Sequence, residues 1–195
     1  MLNHVQSPKI MKYTLAATAL ALSVTFSHAA DVATPSPPVL TPIASLDVAR
    51  YMGDWYELAK FPNRFQKQCA SDTRAQYNAQ PDGTVQVINR CRQANGEMTQ
   101  AVGAARQIGE KNSPKLQVRF APAWLSFIPA VWGDYWVIDI DPAYQLVAVS
   151  EPKREYLWIL SRVSKADPAA YEALLGRLAR MGFDLNRLEV SKQGD

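Results

Sequence analysis

The chain has 195 residues, of which 48% are hydrophobic and 20% charged, and its formal net charge is +3. A charge this close to neutral, without a run of basic residues, excludes the electrostatic footprint that nucleic-acid binding needs. We therefore expect no nucleic-acid partner.

Residues 1–30 have the pattern of a cleaved secretory signal. Lys12 supplies a basic start, and residues 14–26 form an apolar stretch too short to span a bilayer comfortably. Residues 27–29 fit a small-x-small cleavage site without cysteine, which argues against an N-terminal lipid anchor. The pattern predicts a periplasmic or secreted protein that is soluble after cleavage.

Removing this segment changes the chemistry open to the protein. Lys9 and Lys12 are its only charged side chains, so the formal charge falls to +1. Both histidines, His4 and His28, are removed with it. Their loss excludes Ser–His or Cys–His nucleophiles and histidine-ligated metals, and we expect neither metal nor cofactor.

The rest of the chain predicts one domain. Residues 31–45 contain four prolines and are expected to form a disordered lead-in. Residues 46–195 suit a single core. Cys69 and Cys91 are the only cysteines, and in an oxidising compartment a disulfide is favoured over two free thiols.

Alternating apolar residues, separated by turn residues such as those at 81–83, predict strands in chain order. We expect them at 52–61, 71–79, 84–92, 98–107, 115–121, 134–141, 145–150 and 156–162. Eight strands joined mostly by short hairpins form an antiparallel up-and-down meander. Closing that meander into an all-β barrel removes its exposed edges.

One helix is predicted after the last strand. Asp167 is a suitable N-cap, Pro168 suits the first helical position, and Gly182 can end the helix. Residues 171–178 carry an apolar stripe that would pack on the barrel wall. Residues 183–190 are expected to form a short final strand or an extended tail.

Trp55 on the first strand and Arg162 on the last can meet only if the sheet closes on itself. There the guanidinium can lie on the indole face, which contributes roughly 0.5–2 kcal/mol. The alternative is a core aromatic and an unrelated surface charge. The contact favours a small closed barrel, a shape that commonly holds one hydrophobic ligand.

With these motifs placed, the chain resembles the lipocalins, specifically the bacterial outer-membrane and apolipoprotein D types, over residues 46–190. The first family motif is present at residues 51–59, with Gly53 and Trp55, and the third at residues 156–162, ending in Arg162. The second motif keeps only Asp141, which puts in doubt the packing of that loop rather than the fold.

Strand alternation from Trp55 and Arg162, together with the family resemblance, implies a set of inward-facing candidate ligand contacts. They are Glu57 (placed near the base), Ala59, Phe61, Val87, Asn89, Tyr135, Val137, Asp139 and Trp158. Asp139 stands where the family commonly has a small residue. It is expected to be hydrogen-bonded, with selection of a polar or cationic headgroup as the alternative.

The segment 121–132 is unusually apolar for a loop at a barrel mouth. It could fold inward as a lid, which would make Trp124 and Phe127 ligand contacts. It could instead touch a membrane surface or a second subunit through Trp124, Phe127 and Ile128.

The leading functional hypothesis is a non-enzymatic carrier of a fatty acid, a lysophospholipid or a similar amphiphile. One alternative is a lipocalin-fold, isomerase-like enzyme that uses Cys91 in the cavity, with Glu57 or Asp139 as proton acceptor. Another is a tetrapyrrole or haem binder, which without histidine would need cysteine, tyrosine or methionine as axial ligand.

Overall fold

The computed structural model describes Met1 and residues 38–194. The predicted signal peptide lies outside the described residues, as does part of the lead-in. Residues 38–45, expected to be disordered, make contacts with the domain instead. Leu40 is buried, and the Ile43 amide donates to the Val137 carbonyl at 3.0 Å. The packed part of the chain therefore begins before residue 46.

The elements follow one another in simple order. The strands are β1 (Gly53–Lys60), β2 (Ser71–Ala79), β3 (Val85–Arg92), β4 (Met98–Gln107), β5 (Lys115–Arg119), β6 (Gly133–Ile140), β7 (Leu146–Ser150), β8 (Leu157–Ser161) and β9 (Glu189–Val190). The α-helices are α1 (Val48–Tyr51) and α2 (Pro168–Arg180), and 3₁₀ turns lie at Ala123–Leu125, Pro129–Val131 and Leu185–Arg187. The predicted bounds of the eight main strands agree with these within two residues.

Each strand from β1 to β7 pairs antiparallel with the next, and β1 also pairs with β8, which closes the barrel. The predicted eight-stranded up-and-down barrel with one C-terminal helix is confirmed. The ninth strand, β9, pairs with Ala59 and Lys60 of β1, on the edge of β1 that pairs with β2 nearer its start. Because successive strands reverse direction, the loops after β1, β3, β5 and β7 surround one end, which we call the mouth.

The opposite end is closed by the predicted contact between the first and last strands. The Arg162 guanidinium lies 3.8 Å from the Trp55 ring centroid. It also donates hydrogen bonds of 2.7–2.8 Å to the carbonyls of Arg50, Met52 and Asp54. One side chain therefore fixes α1 and the start of β1 against the end of β8.

Two apolar cores lie on opposite faces of the barrel wall. The inner core surrounds Trp55 inside the barrel, and the outer core lies between the wall and α2, where Leu174 and Leu178 are buried. Helix α2 begins as predicted, because the Asp167 side chain accepts from the Ala170 amide at 2.8 Å. Neither helix in the described part of the chain is long and apolar enough to cross a membrane.

Two strand irregularities correct the sequence analysis. In β1, Glu57 pairs with Leu160 but Ala59 pairs with Ile159, so one extra residue is inserted between them. Such a bulge reverses the alternation beyond it. Ala59 and Phe61 consequently face the outer core and α2, not the interior.

The same effect in β6 moves Asp139. Val137 pairs with Val149 and Asp139 with Ala148, again with one residue inserted. Val137 stays in the inner core, whereas Asp139 faces outward and pairs with Arg177 of α2. The expectation that Asp139 lines the interior was wrong for this reason.

Candidate ligand-binding cavity

A cavity of about 700 Å³ occupies the barrel and opens at the mouth. This volume lies within the range of roughly 300–1,000 Å³ that is usual for small-molecule sites. Its middle section is mostly apolar, with Asn89 as a polar exception, because small and branched side chains alternate inward on the strands. These are Ala75, Val85, Val87, Ala105, Leu116, Val118 and Leu160.

Three tyrosines form the floor of the cavity, near the end closed by Trp55. The Tyr135 hydroxyl lies 2.6 Å from that of Tyr51 and 2.9 Å from that of Tyr77. The Tyr51 ring contacts Trp55 and Tyr77, with centroids 5.2 and 5.4 Å apart. Ring packing therefore fixes the positions of three polar groups at the bottom of an apolar shaft.

Burial keeps these hydroxyls protonated. Desolvation is the main cause that raises the pKa of Tyr77 to about 12 and the pKa values of Tyr51 and Tyr135 well above 10. A smaller effect opposes it in Tyr51, where the charge of Arg162 lowers the pKa. At neutral pH all three side chains are hydrogen-bond donors as well as acceptors.

A second polar cluster lies in the wall closer to the mouth. Glu57 is only 2% exposed and accepts hydrogen bonds of 2.5 Å from Gln66 Nε2 and from Ser191 Oγ. Gln66 Oε1 accepts from Trp158 Nε1 at 2.9 Å and from Asn63 Nδ2 at 2.7 Å. The cluster connects β1, the loop after β1, β8 and the C-terminal segment.

Glu57 was expected near the base, but its contact with Gln66 of a mouth loop places it higher in the barrel. Desolvation raises the pKa of Glu57. The hydrogen bonds from Ser191 and Gln66, and then the charge of Lys60, lower the pKa and partly offset this effect. Glu57 is thus a buried carboxyl in the cavity wall whose charged form is disfavoured.

The C-terminal segment after β9 completes the wall where β1 and β2 stop pairing. The Ser191 amide donates to the Leu58 carbonyl of β1 at 2.9 Å, and the Lys192 carbonyl accepts from the Asp72 amide of β2 at 2.8 Å. The segment therefore bridges the two strands. Through this gap the Ser191 hydroxyl reaches the Glu57 carboxylate.

The apolar segment after β5 is partly lid and partly exposed surface. Its two ends, including Ala121 and Val131, line the cavity. Trp124 and Phe127 at its tip are 72% and 77% exposed and do not line the cavity, contrary to their placement as ligand contacts. Two 3₁₀ turns, one after Pro122 and one starting at Pro129, form the segment on either side of Phe127.

Phe120 enters the mouth because Gly103 of β4 has no side chain. A Cβ atom at Gly103 would lie 2.5 Å from the Arg119 carbonyl oxygen and 2.8 Å from Phe120 Cδ1. Gly103 is on the inward face of β4, since it pairs with Val87. The missing side chain lets the end of β5 approach closely and lets the Phe120 ring cover part of the cavity.

The predicted disulfide between Cys69 and Cys91 is confirmed, with a Cα–Cα distance of 5.4 Å. It joins the loop after β1 to β3, and both half-cystines line the cavity. Cys91 faces inward as expected, but it carries no thiol that could act as a nucleophile.

A family model described as a lipocalin-like domain matches residues 46–193. The chain belongs to the lipocalin family.

Curated relatives agree with this assignment of the lipocalin chain. It is 43% identical over 155 residues to temperature-induced lipocalin-1 of Arabidopsis thaliana, covering 78% of this chain and 82% of that protein. It is 33% identical over 181 residues to the outer membrane lipoprotein Blc of Escherichia coli K12, covering 92% and 94%. Apolipoprotein D of Mus musculus is 29% identical over 167 residues, covering 83% of this chain and 82% of that protein.

Among solved structures, insecticyanin from the tobacco hornworm Manduca sexta has a TM-score of 0.63 at 18% identity. The match covers 82% of this lipocalin and 87% of insecticyanin. Identity at this level supports the fold alone.

Of the residues expected to contact a ligand, five line the cavity of this lipocalin: Glu57, Val87, Asn89, Tyr135 and Trp158. Val137 is fully buried in the inner core but does not reach the cavity. Sequence reasoning missed Tyr51, Tyr77 and Gln66. The inward position of Tyr77 could have been predicted from alternation, since Tyr77 lies two residues beyond Ala75 on the same face of β2 and pairs with Gly53.

The incomplete second motif still performs one function in this lipocalin. The Asp141 carboxylate accepts from the amides of Ala143 at 2.9 Å and of Gln145 and Leu146 at 2.6 Å each. These bonds hold the β6–β7 turn at the closed end, and Arg50 adds a hydrogen bond of 2.9 Å to the Pro142 carbonyl. The retained aspartate therefore still helps to organise this loop.

Proposed function

We propose that this lipocalin is a non-enzymatic carrier of an amphiphile with one long apolar chain, such as a lysophospholipid or a fatty acid. The observation that carries the proposal is the cavity of about 700 Å³ with an apolar shaft open at one end. Burying an acyl chain contributes about 0.8 kcal/mol per methylene, and micromolar affinity needs about 8 kcal/mol. Contacts with such a chain therefore suffice for binding without any reaction.

The place of action that we propose is the cell envelope, after export. The predicted signal segment supports it, as does the name of one relative, an outer membrane lipoprotein. The two cysteines of the sequence, Cys69 and Cys91, are both in the disulfide. The disulfide itself suits an oxidising compartment.

We further propose that the mouth touches the membrane that supplies the lipid. The segment 120–132 has no charged residue, and Trp124, Phe127 and the neighbouring Phe65 are all more than half exposed. Arg64 and Lys67 on the loop after β1 add positive charge at the same mouth. Apolar side chains beside cations suit a surface of anionic phospholipid.

This membrane contact is tested by flotation with phosphatidylethanolamine–phosphatidylglycerol vesicles. Binding should fall in Trp124→Ser/Phe127→Ser and remain in Val163→Ser, which removes an exposed apolar side chain after β8. Equal binding of all three proteins would contradict the proposal. A dimer in solution that dissociates only in the double variant, without vesicle binding by the wild type, would assign the surface to a second copy instead.

The carrier role is tested by calorimetric titration with hexadecanoyl lysophosphatidylcholine. Ala105→Trp fills the apolar shaft and should abolish binding, whereas Val102→Trp places the same ring on the outer face of β4 and should not. Binding that survives in Ala105→Trp, or that is absent from the wild type, would contradict the proposal.

A further inference from the structure

The floor of the cavity has more hydrogen-bonding capacity than its three tyrosines can satisfy among themselves. Tyr51, Tyr77 and Tyr135 each carry one hydroxyl hydrogen, and the structure gives these hydroxyls two mutual hydrogen bonds, both involving Tyr135. A third interaction, between Tyr51 and Tyr77, contributes to the pKa shifts of both residues. Even with three mutual hydrogen bonds, the three oxygens keep three of their six lone pairs unused.

Burial keeps all three tyrosines protonated at neutral pH, so each hydroxyl can donate as well as accept. Beside the floor the inward side chains include Val87 and Leu116, and Asn89 follows one inward step higher on β3, where it pairs with Ala75. A further polar partner for the tyrosine oxygens therefore comes from the cavity, as water or as part of a ligand.

We propose that the three tyrosines form a subsite for an oxygen atom, a hydroxyl or carbonyl, at the buried end of the ligand. This inference rests on the proposed carrier function and narrows its ligand class to amphiphiles whose apolar chain ends in an oxygenated group. A hydroxyl fits best, since it can donate to an unused lone pair of a tyrosine oxygen and accept a tyrosine hydrogen in return. A plain methyl end would make neither contact.

The packing of the rings favours such a subsite over a merely structural cluster. Tyr51 is held by Trp55 and Tyr77 through ring contacts, and Tyr77 contacts the Tyr135 ring edge-on with centroids 6.3 Å apart. The three hydroxyls are thus held in place before a ligand arrives. Preorganised polar groups at the end of an apolar pocket orient a ligand and discriminate between related chains.

The test compares hexadecanoyl lysophosphatidylcholine with its ω-hydroxy derivative. Both lipids have a bulky headgroup, so the end of the acyl chain has to enter the cavity first. The wild type should bind the ω-hydroxy lipid at least as tightly as the plain one. In Tyr51→Phe/Tyr77→Phe/Tyr135→Phe the hydroxyl enters an apolar floor, so this lipid should bind about tenfold more weakly than the plain one. Tyr171→Phe removes a hydroxyl from α2, outside the barrel, and should behave as the wild type.

A second comparison needs no variant, in case the triple substitution prevents folding. A lysophosphatidylcholine with a mid-chain hydroxyl would place that hydroxyl in the shaft, where Asn89 is the nearby polar side chain instead of three tyrosines, and the wild type should bind it more weakly than the ω-hydroxy isomer. Equal affinities for these two isomers, or the same penalty for the ω-hydroxyl in wild type and triple variant, would overturn the subsite. Failure of the plain lipid to bind the wild type would instead overturn the carrier function.

Discussion

The carboxylate of Asp139 and the guanidinium of Arg177 are joined by two hydrogen bonds, Nε to Oδ2 at 2.6 Å and Nη2 to Oδ1 at 2.9 Å. Asp139 is on β6 and Arg177 on α2, so the pair fastens the helix to the barrel wall. The hydrogen bond also raises the pKa of Arg177. Strand alternation alone would place Asp139 in the cavity, but its carboxylate binds Arg177 on the outside of the barrel instead.

Asp139→Ala is expected to lower the free energy of unfolding and to leave lipid affinity unchanged. Arg177 is partly exposed, so water screens the pair, and the loss should be about 1–2 kcal/mol. Urea denaturation measures it, and a double-mutant cycle with Arg177→Ala isolates the coupling. A change in lipid preference in Asp139→Ala, with stability intact, would show that the carboxylate acts on the ligand.

The buried carboxyl of Glu57 predicts a particular pH dependence of stability. The pKa of Glu57 is raised in the folded protein, whereas in the unfolded chain it has its ordinary value of about 4.5. The unfolded chain therefore releases this proton at lower pH than the folded protein does. Between the two pKa values the folded state binds more protons, and stability falls as pH rises through this window. Below the unfolded pKa the penalty is absent.

Glu57→Gln should remove this pH dependence. The variant loses part of the hydrogen bonding with Ser191 and Gln66, so the informative quantity is its unfolding free energy minus that of the wild type. That difference should increase as pH rises from about 4.5. A difference that stays constant between pH 4 and pH 8, measured by urea denaturation, would contradict the assignment.

Gly103→Ala is expected to destabilise the fold and loosen the mouth. The new Cβ would lie 2.5 Å from the backbone oxygen of Arg119, so the end of β5 must shift, at a cost of about 1–3 kcal/mol. Gly133→Ala is the matched control, since its Cβ would lie 3.9 Å from the Val118 carbonyl oxygen. Thermal unfolding should separate the two variants, and equal melting temperatures would refute the steric argument.

Arg162→Ala should lower the unfolding free energy by about 2–4 kcal/mol, because it removes the contact with Trp55 and three charged hydrogen bonds. Arg162→Lys keeps the charge but cannot spread planar donors over three carbonyls, so most of the loss should remain. Full recovery by lysine in urea denaturation would show that charge alone matters.

The fold was readable from the sequence because alternation and turn residues are local signals. They predict all eight strands, the cap at Asp167 and the closure through Trp55 and Arg162. The site was less readable because inward facing depends on unbroken alternation. Single inserted residues in β1 and β6 turned Ala59, Phe61 and Asp139 outward, and no local residue pattern marks either insertion.

The missing parts of the site are contacts between residues distant in sequence. Glu57 meets Ser191, 134 residues away, and the Tyr51 hydroxyl meets that of Tyr135, 84 residues away. Pairing of this kind follows from barrel closure and the path of the C-terminal segment. Strand-level reasoning specifies neither.

The most direct measurement is native mass spectrometry of the protein purified from the exported fraction, with lipid extraction alongside. The account predicts one amphiphile per chain, lost in Ala105→Trp and retained in Val102→Trp. A chain without bound amphiphile that also fails to take up added lysophosphatidylcholine would contradict the carrier function.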